Sequence, residues 1–161
     1  MRILAIDPGN TESGYAIIDL PKLVIIECGK VDNNELLLMF KTLKEKGVEN
    51  IAIEMVACYG MPVGAEVFNT CVWIGRFSQF LSDYEINYIY RREEKITLCN
   101  SMKAKDTNIK QALIDRYAHH DFKHGKGTKK NPDTFYGVSK DIWQAIAVGV
   151  TYYEKTTENS I

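Results

Sequence analysis
Long apolar runs are missing. Nothing in the 161 residues approaches the roughly 18–20 consecutive apolar positions of a membrane span, so no contact with a membrane interior is expected. The opening MRILAIDPGN lacks the longer apolar region and small-residue cleavage site of a secretory leader. Cysteine is sparse, with four residues at 28, 58, 71 and 99 and no C-x-x-C pair. His119, His120 and His124 all follow the last cysteine and complete no zinc spacing. These absences exclude a disulfide framework and predict reduced, mostly buried thiols in a cytoplasm. Net charge is also lacking, at −1, so overall charge does not mark a polyanion binder. The length suits one domain spanning 1–161 and is too short for a two-lobed enzyme.

What is present is an uneven charge distribution and enough apolar sequence, 45%, for a core. Residues 1–85 carry 7 basic and 12 acidic groups, whereas 86–130 carry 11 basic and 5 acidic. A basic face on a neutral protein follows if those positions share a side. Strands are predicted at 2–6, 14–19 and 23–31, joined by short turns at Asp7-Pro8-Gly9-Asn10 and Pro21. Asp32 or Asn33 caps a helix that Gly47 stops. Residues 51–54 form a further buried strand. The irregular stretch 55–63 leads to a long helix over about 64–82, striped with Phe68, Cys71, Val72, Ile74, Phe77 and Leu81. A fifth strand at 86–90 precedes helices at about 92–99 and 107–118. Residues 120–137, with Gly125, Gly127, Pro132 and several lysines, are expected to form an exposed, mobile loop. Ser139 caps a last helix reaching about 154. The order predicts an α/β fold: a five-stranded mixed sheet, three strands antiparallel and then two parallel, with helices on both faces.

Three acids stand out by position. Asp7 ends the first strand, Glu54 ends the fourth, and Asp141 lies in the first turn of the last helix. Carboxylates at the ends of two apolar strands are costly to desolvate. If those strands run side by side, their charges repel unless a cation sits between them, and oxygen ligands suit Mg²⁺ or Mn²⁺. Each acid also has an ordinary reading: Asp7 capping its turn, Glu54 paired with a lysine, Asp141 facing the helix dipole.

The segment ILAIDPGNTESGYAIID resembles the opening hairpin of the RuvC-type Holliday junction resolvases. IAIE at 51–54 resembles their second acidic strand, and DIWQAIAVGVTYY at 141–153 their last helix. GMPVGAEVFNTCVWIGRF and GTKKNPDTFYGVSKD resemble the bacteriophage branch. The resemblance implies a ribonuclease H-like fold and a metal-dependent endonuclease that cuts branched DNA during phage recombination or replication, in the host cytoplasm. It implies two Mg²⁺ or Mn²⁺ ions, Asp7 bridging them, with Glu54 on one and Asp141 on the other. One ion would activate a water and the other would stabilise the leaving oxygen, giving a 5′-phosphate and a 3′-hydroxyl. Where the family commonly has a further Asp, this chain has Gln144, whose carbonyl can ligate but carries no charge.

The same resemblance implies DNA-holding lysines between the fifth strand and the last helix. Lys95 matches one by spacing and Lys105 falls near a second; Lys103, Lys110, Lys123, Lys126, Lys129 and Lys130 extend the set. Such contacts hold phosphates without reading sequence. Cellular resolvases carry an aromatic three residues after the second acid; here Ala57 stands there and Tyr59 follows, which implies a broader preference among DNA branches. Paired nicks imply a homodimer, and the family resemblance implies an interface on the 64–82 helix through Phe68, Trp73, Ile74 and Phe77. No nucleotide cofactor is expected. Rival readings are a catalytically weak branched-DNA scaffold, a structured-RNA processing nuclease of the YqgF type, and a single lobe of an actin-like ATP-binding module.

Overall fold
The computed structural model describes residues 1–159. Strands β1 (Arg2–Asp7), β2 (Glu12–Asp19) and β3 (Val24–Asp32) form an antiparallel meander. β4 (Asn50–Met55) then pairs with β1 in parallel, and β5 (Ile86–Tyr90) with β4, giving the order β3-β2-β1-β4-β5. The helices are α1 (Asn33–Met39), α2 (Ala65–Phe80), α3 (Arg91–Cys99), α4 (Asp106–Tyr117) and α5 (Lys140–Glu158). This is the mixed five-stranded α/β sheet, three strands antiparallel and two parallel, that the sequence predicts.

Alternation along the strands divides the core in two. Ile3, Ala5, Ala16, Ile18 and Ala52 face α3, α4 and α5. Leu4, Ile6, Ile17, Ile51 and Ile53 face α1 and α2. The small residues on the first face let α5 lie close to the sheet. Gly149 marks the tightest point, where an added Cβ would stand 2.6 Å from Ile18 Cδ1 and 3.0 Å from Ala5 Cβ. No helix among the described residues is long and apolar enough to cross a membrane.

Four sequence expectations need correction. Ile74 and Phe77 are buried against the sheet, so they cannot form an interface with another chain, while Phe68 and Val72 are exposed. The stripe predicted on α2 therefore spans two sides of the helix. None of the cysteines is fully buried: Cys28, Cys71 and Cys99 are half-buried, and Cys58 is exposed. Ser139 stands at the start of α5, but its side chain makes no capping hydrogen bond. Residues 120–137 are not an open loop. The buried Asp133 carboxylate accepts from the backbone N–H groups of His119, His120, Asp121 and Thr134 at 2.7–3.1 Å. Asp121 accepts from His124, Lys126 and Gly127. Phe135, fully buried, stacks on Trp143 with centroids 4.4 Å apart. Carboxylates here satisfy backbone donors that a helix or sheet would otherwise satisfy.

Candidate active site
Asp7 and Glu54 meet because of register. β1 and β4 are parallel neighbours with Ile6 opposite Ile53, so the next residue on each strand ends at the same edge. Both follow the alternation of Ala5 and Ala52 toward the α5 face. Asp141 joins them through Gly14, which is opposite Asp7 on β2. A Cβ on Gly14 would fall 2.7 Å from the Asp141 carbonyl oxygen, so only glycine lets the start of α5 sit there. The turn after Asp7 is braced from below. Ser13 Oγ accepts from the Gly9 N–H and donates to Asn33 Oδ1 at 2.6 Å, while buried Asn33 donates to the Gly9 carbonyl at 2.9 Å.

The charges are unhappy without a counterion. Burial, then the carboxylates of Glu54 and Asp141, push Asp7 up to about 8. Burial and the nearby Glu94 push Glu54 up to about 7, against the pull of Arg91. The two carboxyl groups act on one another, Glu54 raising Asp7 further and Asp7 drawing Glu54 down. Hard oxygen donors that repel one another in a desolvated corner fit a divalent cation such as Mg²⁺ or Mn²⁺. The fit is incomplete on the α5 side. Among the described residues, no three His, Cys, Asp or Glu side chains stand close enough to form a ready metal cage. Asp141 is bound instead by Lys30 on β3, with Nζ 3.0 Å from Oδ2.

Two further residues, Arg91 and Glu94, were not anticipated from sequence. Glu94 is fully buried at the start of α3; one oxygen accepts from Arg91 at 2.5 Å and the other has no partner. Burial pushes it up to about 7, with Arg91 opposing. Arg91 also donates to Gln144 Oε1 at 2.8 Å and pairs with Asp106. The signal was available: Arg91 and Glu94 follow β5, whose Ile89 is opposite Glu54. Lys30 was equally overlooked; it is opposite Gly14, one strand beyond Asp7.

The lysines divide. Lys110, Lys126 and the unanticipated Lys140 line a hollow of about 380 Å³ with Asp141, Gln144 and Trp143, and Lys110 caps the Trp143 ring at 5.0 Å. Lys103 lines a separate hollow with Cys99 and Asn108. Lys95 is half-buried, and Lys105, Lys123, Lys129 and Lys130 are exposed; none of these five borders the Asp141 hollow. Tyr59, exposed and left-handed at φ 47°, borders a third hollow with Glu54 and Arg91.

No protein-family model matches this chain, and no curated protein matches it. Solved structures do. RuvC of Thermus thermophilus superposes with a TM-score of 0.72 at 15% identity, over 99% of this chain and 97% of that one. The same protein in complex with Holliday junction substrate gives 0.71 at 14%, over 99% and 96%. Fowlpox virus resolvase with substrate Holliday junction DNA gives 0.53 at 19%, over 97% and 99%. The chain has the fold of these resolvases along nearly its whole length.

Proposed function
We propose that this chain is a structure-selective endonuclease that hydrolyses phosphodiester bonds in branched DNA, with Asp7, Glu54 and Asp141 as its catalytic acids. The observation that carries the reading is the pair of desolvated carboxylates at adjacent strand ends, beside a hollow lined by lysines. Asp7 and Glu54 would hold a divalent cation, with Asp141 at its edge; such an ion supplies an activated water and offsets charge developing on the phosphate. The chain's own side chains do the rest. Lys110, Lys126 and Lys140 hold the strand's phosphates, and the Asp133-braced segment fixes Lys126. The Ser13–Asn33 brace keeps the Asp7 turn from shifting as charge changes. The outward row of Phe68 and Val72 on α2 pairs two copies, so that two strands can be nicked. The setting is phage recombination or replication in a host cytoplasm, with residues 1–161 acting as one nuclease domain.

Incubating a labelled four-way junction with Mg²⁺ or Mn²⁺ tests this. Wild type should nick it, and Asp7→Asn should bind it without cutting. Wild-type binding with no nicking under either metal would favour a branched-DNA scaffold, a reading that the Arg91-bound Gln144 supports. Preferential cutting of structured RNA would favour an RNA-processing role.

A further inference from the structure
The acids around Asp7 do not form two equivalent places for ions. On one side, Asp7 and Glu54 end adjacent parallel strands, just past the Ile6–Ile53 pair, and among the described residues neither forms an ion pair with a lysine or arginine. On the other, both outer donors already hold a side-chain cation. Asp141 is held by Lys30 at 3.0 Å, and the Gln144 carbonyl by Arg91 at 2.8 Å. Arg91 is not a loose surface group. Its side chain is 22% exposed, and it is fixed from behind by buried Glu94 and flanked by Asp106. A guanidinium so held keeps its charge at any accessible pH and donates in a fixed geometry. A second divalent ion would have to displace Lys30, break a charge-assisted hydrogen bond to Arg91, and then accept a neutral carbonyl in place of a carboxylate.

We infer that the site takes a single divalent cation, between Asp7 and Glu54, and that Lys30 and Arg91 occupy the outer donors Asp141 and Gln144 in place of a second ion. This rests on the nuclease reading above and replaces the two ions implied by the sequence resemblance. Arg91 then acts as a positioning residue that supplies fixed positive charge at the outer face, where a strand phosphate would lie.

Counting bound Mn²⁺ tests it, by loss of the free-ion paramagnetic resonance signal on titration into the full-length protein. Wild type should saturate at one ion per chain. A count of two overturns the inference and leaves the nuclease reading standing. A count of zero up to millimolar Mn²⁺ overturns both. The variant Lys30→Met with Gln144→Asp strips a cation from the outer face and adds a carboxylate there. It spares the Arg91–Glu94 pair buried in the fold, and should bind a second ion. If that variant folds, by an unchanged thermal transition, and still binds one ion, the roles given to Lys30 and Gln144 are wrong.

Discussion
Removing the charge of Asp7 should stabilise the protein while destroying its chemistry. The carboxyl lies at about 8 in the folded chain against 3.8 for the free group. Between those values the folded state keeps a proton that the unfolded chain has released, so stability falls as pH rises from about 4 toward 8. At pH 7 the full shift corresponds to a penalty on the order of 4 kcal/mol, at about 1.4 kcal/mol per pH unit above the free value. That figure is a ceiling, because the repulsion is divided between Asp7 and Glu54. Asp7→Asn has no such penalty. A change of 1 kcal/mol moves the midpoint by about 2–4 °C in chains of this size, so even a quarter of the ceiling is measurable. Thermal melts in EDTA at pH 5 and pH 8 should show the variant gaining on wild type, by more at pH 8. Adding Mn²⁺ should then raise the wild-type midpoint and leave the variant unmoved. An advantage that is equal at both pH values, or an Mn²⁺ response in the variant, would refute the desolvated-pair explanation.

Phe135→Ala should lower unfolding free energy by about 3–5 kcal/mol in urea titrations, since a fully buried ring stacked on Trp143 is lost. Gly149→Val should cost about 1–3 kcal/mol by forcing α5 off Ile18 and Ala5, again read by urea titration. Lys126→Ala should weaken binding to every DNA tested alike and flatten the logarithmic salt dependence by about 0.9, measured by fluorescence anisotropy. An unchanged slope would place Lys126 away from the phosphates.

The parts legible in sequence are those governed by short-range pattern. Apolar runs ending in an acid mark β1 and β4, and their alternation already places Asp7 and Glu54 on the side of Ala5 and Ala52. The sheet order follows from a meander joined to two strands by helices. What escaped depends on partners distant in the chain. Arg91 and Glu94, three residues apart at a helix start, have the look of a solvated surface pair; in the fold Glu94 is fully buried and Arg91 reaches across to Gln144 on α5. Lys30 on an edge strand gains meaning from Asp141, over a hundred residues away. Asp133 was hidden among glycines and lysines because the backbone donors it satisfies have no sequence signature. The α2 stripe failed because Phe68 and Ile74 are equally apolar, and hydrophobicity alone does not say which side meets the sheet.

Two aspartates knot residues 120–137 into a shaped arm rather than a slack tether. Its lysines are therefore spaced before any polyanion arrives. Freezing a flexible main chain costs roughly 1–2 kcal/mol for each residue ordered. A polyanion docking onto this arm would immobilise side chains alone, so its capture should carry a small entropic toll, and the free arm should resist protease nicking as well as the bound one.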